Sequence, residues 1–222
     1  MLKRIYRELY STFGPQKWWP GETAFEVIVG AILTQNTNWK NVEKAIVNLK
    51  SARVLSPQAL HKIPAAKLAA LIKPVGYFNI KAKRLKNFLS FLYKEYGGKL
   101  ARMEREDLPV LRRKLLGVNG IGPETADSIL LYAFDKPSFV VDAYTKRIFS
   151  RHKIISRDID YSALQELFAK NLKTDVKMFN EYHALIVRLG KDFCQAKAKC
   201  EQCPLNYLNK LKQYRYGKEQ RT

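Results

Sequence analysis

Three glycines, Gly117, Gly120 and Gly122, fall within six residues between an apolar helical run ending at Leu116 and the helical pattern Thr125 to Phe134. Glycine permits tight turns and lets a backbone approach another surface closely, so the spacing predicts a helix, a short hairpin and a second helix. Pro123 stands where that second helix should begin, a position that needs no donor and suits the φ of proline. The amides of Gly120, Ile121 and Gly122 are then expected to point out of a helix N-terminus, an anion-binding arrangement. An ordinary helix-turn-helix connection fits the same glycines, which alone do not choose between the two. Twenty residues past Gly122 stands Asp142, the one acid in Phe139–Val140–Val141–Asp142. A carboxylate after such a stretch is costly to desolvate unless something uses it.

Charge points to a polyanion. Forty Lys and Arg against twenty Asp and Glu leave +20 on 222 residues, an excess whose usual partner is nucleic acid. The excess is spread along the chain, as in Lys81–Ala82–Lys83–Arg84 and Arg112–Arg113–Lys114, which favours a basic face over a basic tail. No run of eighteen apolar residues predicts a membrane span, and no long amphipathic basic helix with an aromatic underside is evident. Met1–Tyr6 lacks the features of a signal peptide, so the expected location is the cytoplasm, on the nucleoid.

Helical periodicity dominates over Ala24 to Leu33, Val42 to Leu49, Leu68 to Ile72, Ala82 to Tyr96, Leu108 to Leu116 and Thr125 to Phe134. It continues over Thr145 to Arg151, Ser162 to Asn171 and Lys177 to Leu189, and prolines fall at the boundaries. No stretch alternates with period two. The fold class is all-α, with about ten helices and no internal repeat.

These residues carry a resemblance. The order Ala31–Ile32–Leu33–Thr34–Gln35, then Gly117–Val118–Asn119–Gly120–Ile121–Gly122, then Val141–Asp142, then a cysteine cluster, resembles the helix-hairpin-helix DNA glycosylases of the endonuclease III superfamily. Trp18–Trp19–Pro20 and Ala31 to Thr37 are most similar to its 3-methyladenine DNA glycosylase III branch. The resemblance implies two helical lobes with the base pocket between them. A six-helix lobe, 22–134, ends in the hairpin helix; residues 1–21 and 135–222 form the other and carry the Cys-rich segment. It implies a monomer acting on double-stranded DNA with a damaged base, an alkylated purine such as 3-methyladenine, with no membrane partner.

In the lyase members a lysine lies eighteen residues before the aspartate, and here that position is Glu124. Glutamate cannot attack a sugar C1′ to form a Schiff base. An acid in a first helical turn is also simply favoured by the dipole. Lys136 and Lys146 lie nearby, but nothing in their spacing recommends them. Asp142 keeps a task without the lysine: a carboxylate stabilises the positive sugar of a breaking N-glycosidic bond and can orient or deprotonate water. It can equally be the N-cap of a helix starting at Ala143, and one residue can do both.

Trp18, Trp19, Phe25 and Trp39 are the aromatic candidates for the base pocket, since an extruded base is gripped between flat apolar groups. A cationic alkylated purine is further attracted to an electron-rich ring. Phe25 lies on an apolar helix face and reads equally as core, so Trp18 and Trp19 are favoured. Gln35 resembles the family residue that fills the gap left by the extruded nucleotide, or is a polar helix end in water. Gly76, in a second glycine turn before a basic helix, is a further phosphate contact beside Gly117, Gly120, Ile121 and Gly122.

Cys194, Cys200 and Cys203 cluster in a way that indicates metal before disulfide. Cluster-bearing members of the superfamily have four cysteines, and the fourth position here is Asn209, a poor iron ligand. A [4Fe–4S] cluster completed by another ligand and a decayed site both remain open; His183 and His152 could be recruited only by the fold. The chemistry itself needs no cofactor. Two other functions fit the residues: a bifunctional glycosylase/lyase for oxidised bases, and a non-catalytic DNA-binding module.

Overall fold

The computed structural model describes residues 1–19 and 21–208, and among these every regular element is helical. The chain divides into two compact units, Trp19–Ser138 and Met1–Trp18 with Phe139–Thr222.

The first unit contains α2 (Ala24–Leu33), α3 (Trp39–Ser51), α4 (Pro57–Lys62), α5 (Ala65–Leu71), α6 (Phe78–Tyr96), α7 (Leu100–Glu104), α8 (Leu108–Leu116) and α9 (Pro123–Phe134), with a 3-10 turn at Lys73–Val75. Six helices are expected there and eight are present. The additional two, α4 and α7, have six and five residues, less than two turns of pattern apiece. Helix α2 is buried from Phe25 to Leu33, and packs on α9, α6 and α3. A helix apolar on every side belongs at the centre of a core. It starts where Thr23 Oγ1 accepts the Glu26 N–H at 3.1 Å, and the buried Glu26 carboxylate meets Lys50 Nζ at 3.0 Å.

Helices α8 and α9 are tied by an ion pair whose acid is fully buried and whose guanidinium is partly exposed. Arg112 Nε and Nη2 donate to the two oxygens of Asp127 at 2.8 and 3.0 Å, and Ser138 Oγ adds a third bond at 2.6 Å. Asp127 is fully buried, so this bidentate fork sets how the two hairpin helices lie.

The second unit contains α1 (Leu2–Phe13), α10 (Ala143–Arg151), α11 (Tyr161–Asn171) and α12 (Val176–Asp192). Helix α1 is the basic amphipathic helix not expected from the sequence. Its apolar residues Leu2, Ile5 and Leu9 are buried, and it packs on α12, with Tyr182 Oη donating to the Leu2 carbonyl at 3.0 Å. Phe139 stacks on Phe168 at 4.2 Å and meets Phe179 and Tyr182 edge-on. The run Phe139–Val140–Val141 is thus core strapping, and it delivers Asp142 to the start of α10. Among the described residues no helix is long and apolar enough to cross a membrane.

Candidate functional site

The hairpin between α8 and α9 is closed by Val118 N–H on Leu115 O and Ile121 N–H on Val118 O, both 3.0 Å. Gly120 has φ +95°, and a Cβ there would run into the Arg84 side chain, so both backbone and packing require glycine. The expected set of phosphate-binding amides is reduced by these turns. Gly117 N–H already donates to the Arg113 and Lys114 carbonyls, Ile121 N–H to Val118, and Gly76 N–H to Lys73 at 3.3 Å. The Ile121 side chain is buried and anchors the hairpin in the core. Among the described residues the amides of Gly120 and Gly122 keep no acceptor, just before Pro123 opens α9.

Gly122 differs from Gly120. Its backbone is extended, and nothing lies within 4 Å of where its Cβ would be. Threonine caps a helix about as well as glycine. Gly122→Thr is therefore expected to leave the melting temperature nearly unchanged. If a phosphate sits on this amide, duplex affinity should fall roughly tenfold or more, alike for all sequences. Binding measured across a salt series gives the check, and affinity should also fall steeply with salt. Unchanged affinity would remove the hairpin from the interface.

Gln35 is held rather than projecting. Its Nε2 donates to Gly120 O at 3.0 Å and Thr125 Oγ1 at 2.9 Å, and Arg84 Nη1 donates to its Oε1. Those bonds join the end of α2, the basic helix α6 and the hairpin. To fill a gap in DNA, this amide would have to exchange all three.

Asp142 is the N-cap of α10. Its Oδ1 accepts the Thr145 N–H at 2.7 Å and the Thr145 hydroxyl at 2.8 Å, while Oδ2 lies 3.5 Å from His183 Nε2 on α12. Burial pushes the carboxyl pKa up, but His183 and the two Thr145 bonds outweigh it and hold it below the usual value. The acid is ionised at neutral pH. Capping and chemistry do not compete for one atom, because the cap occupies Oδ1 alone. His183 is the residue sequence reasoning missed in this role, and no local spacing links it to Asp142.

Glu124 is exposed in the first turn of α9, a position favoured by the helix dipole. Among the described residues two lysines have depressed pKa values, and both are engaged on carbonyls. Lys81, brought down to about 8 by burial and by Arg84, donates to Val75 O at 2.9 Å. Lys86, lowered by burial, donates to Leu60 O and His61 O at 2.8 Å. Lys146 Nζ donates to Ile159 O at 2.8 Å. These amines close turns and loop ends.

Phe25 is not a pocket residue. It is 5% exposed and belongs to the core of the first unit, as its place on a helix buried from Phe25 to Leu33 requires. Trp19 is half-buried against that core, edge-on to Trp39 and tilted against Tyr132, each at 5.0 Å. Trp18 belongs to the other unit, half-buried, with Lys191 Nζ 5.9 Å from its ring centre.

The three cysteines line one cavity of about 60 Å³ with His152 and Arg151, whose Nη1 lies 3.4 Å from Cys194 Sγ. Cys194 is buried, Cys200 exposed, and burial pushes the Cys203 thiol up. Among the described residues, no three His, Cys, Asp or Glu side chains group as a metal-ligand set, and Asn209 lies outside those residues. Three thiols among the described residues are one ligand fewer than the four cysteines that hold a [4Fe–4S] cluster.

The sequence matches the family described as HhH-GPD superfamily base excision DNA repair protein over residues 29–174. It is 51% identical over 207 residues to a Methanocaldococcus jannaschii protein named Putative DNA repair glycosylase MJ1434, covering 92% of this chain and 94% of that one. The crystal structure of H. pylori 3-methyladenine DNA glycosylase (MagIII) bound to 1,N6-ethenoadenine is similar at 31% identity and TM-score 0.75, covering 86% of this chain and 97% of that one. A non-covalent endonuclease III–DNA complex shares the fold at TM-score 0.80 and 21% identity, over 94% of each chain.

Proposed function

The chain belongs to the HhH-GPD superfamily of base excision DNA repair proteins, and on that premise we propose that it is a monofunctional glycosylase that hydrolyses the N-glycosidic bond of an alkylated purine in duplex DNA. The observation that carries this reading is an ionised, largely buried Asp142 in a sequence whose lyase-lysine position, eighteen residues earlier, holds an exposed acid, Glu124. As the bond breaks, positive charge grows on the sugar, and a fixed carboxylate in a dry setting opposes it strongly. The same group directs or deprotonates water. The likeness to MagIII supports the alkylated purine, whose weakened glycosidic bond suits an enzyme without an amine nucleophile. Trp18 and Trp19 are the rings proposed to grip the base, and the Gly120 and Gly122 amides to hold a phosphate. The protein is proposed to act as a monomer in the cytoplasm.

The test is base release from duplexes carrying 3-methyladenine, ethenoadenine, an oxidised pyrimidine or uracil, followed by borohydride treatment. We expect release of the alkylated base, with strand breaks only after alkali and no trapped adduct. A borohydride-trapped complex on abasic DNA would overturn the monofunctional reading. Release restricted to the oxidised pyrimidine or uracil would overturn the substrate.

The cysteine segment is proposed to act without a cluster. Freshly purified protein is expected to be colourless and free of iron, and Cys200→Ser, at an exposed position, to shift stability by less than about 0.5 kcal/mol. Brown protein with broad absorption near the visible edge and stoichiometric iron would overturn this.

A further inference from the structure

We propose that His183 is a positioning residue for Asp142: the imidazole on α12 holds Oδ2 in its working direction while the cap holds Oδ1. This rests on the reading of Asp142 as the essential carboxylate. A helix cap needs one oxygen, and Thr145 saturates it with two bonds. The second oxygen faces His183, with side-chain exposures of 10% for Asp142 and 7% for His183. A largely buried carboxylate is costly without a partner, and the imidazole is the group that faces Oδ2.

The surroundings single out this contact. Arg147 and Lys146, on the helix that Asp142 caps, are directed elsewhere: Arg147 Nε and Nη2 donate to Cys194 O and Gly190 O, and Lys146 Nζ to Ile159 O. Glu181, the acid two positions before His183, accepts the Gln16 N–H at 2.7 Å. From α1, Tyr6 meets Tyr182 edge-on at 5.2 Å. Helices α10 and α12 pack directly, with Tyr144 against Gly190, where a Cβ would collide with the ring. That close approach fixes the helix carrying the histidine against the helix capped by the aspartate. The separation of 3.5 Å is longer than a formed hydrogen bond, as catalytic contacts often are before substrate is present. It can tighten without moving either helix.

Two variants and two readouts test the proposal. His183→Leu keeps the bulk and removes the donor; His183→Gln restores an N–H. Single-turnover release of an alkylated base should fall roughly ten- to a hundredfold in the first, as expected when a reacting group loses its orientation, and recover partly in the second. Independently of activity, the Asp142 carboxyl signal, identified by its loss in Asp142→Asn, is followed by carbon NMR through an acid titration. Its midpoint should move up in His183→Leu, where burial is no longer opposed by the imidazole, and back down in His183→Gln. Lost activity with an unmoved midpoint, or glutamine no better than leucine, assigns His183 a structural role and overturns the proposal. Undiminished release in His183→Leu overturns it too. If Asp142→Asn itself releases base at the unmodified rate, the failure lies with the reading of Asp142, while the titration still decides the contact.

Discussion

Replacing Asp142 by asparagine is expected to slow base release by roughly a hundredfold or more while leaving duplex binding intact. The substitution is close to isosteric. An asparagine Oδ1 can still accept both Thr145 bonds, so α10 keeps its cap. What disappears is the charge, together with the oxygen facing His183. Uniform binding of DNA does not use that charge, whereas the cationic sugar of the transition state does. The loss should therefore appear in the single-turnover rate and not in the dissociation constant. Acid behaviour gives a second check. The folded pKa of Asp142 lies below its unfolded value, so its contribution to stability is complete above the unfolded value and is lost as pH falls through the folded one. Wild type should thus lose more stability than Asp142→Asn across that acid window, and the two should run parallel near neutrality. Undiminished base release would overturn the catalytic role and leave Asp142 as a cap.

The parts of the fold visible in the sequence are those written in consecutive residues. Pro123 and Gly120 mark the hairpin because each answers a local backbone demand, and the Val140–Val141–Asp142 run announces a buried strap ending in a cap. Short helices escape this logic: α4 and α7 have too few residues to show a period. Helix α1 shows Leu2, Ile5 and Leu9 at helical spacing, but charges dilute the stripe and its partner, Tyr182, is 180 positions away. The candidate site divides similarly. Asp142 and Glu124 can be placed by spacing, whereas His183 reaches Asp142 from another helix. Gln35 finds Gly120 and Thr125 across 85 and 90 positions. The turn bonds of Gly117 and Ile121 depend on how the hairpin closes, so glycine content alone overcounts the amides left for a phosphate. Phe25 has a different cause. Its helix is apolar all round, so no polar face exists to show which residues point inward.

Arg112→Met should destabilise the protein by about 3–5 kcal/mol, the effect of stranding a buried charge. Asp127 is fully buried, and Arg112 satisfies both of its oxygens; once the guanidinium is gone, Ser138 alone remains from that trio. Water does not reach the carboxylate where it stands, so the fold must open or distort to relieve it. Denaturant unfolding should show a lowered midpoint, and the melting temperature should drop by on the order of 10 °C. The reverse change is milder. In Asp127→Asn the amide oxygen still accepts one bond, and Arg112, with a side chain 25% exposed, can turn partly to solvent. Removing both partners separates the desolvation of a stranded charge from the attraction within the pair. Arg112→Met with Asp127→Leu exchanges the ion pair for apolar packing of similar bulk and should recover most of the loss. The coupling also reaches the hairpin, because α8 and α9 meet through this fork on either side of Gly117 to Gly122. Duplex affinity should therefore fall in Arg112→Met and return in the double variant, in step with stability. A single variant as stable as wild type would show that the fork does not hold the hairpin helices. Recovered stability without recovered affinity would mean that the fork does more than join them, setting the angle at which α9 presents its N-terminus.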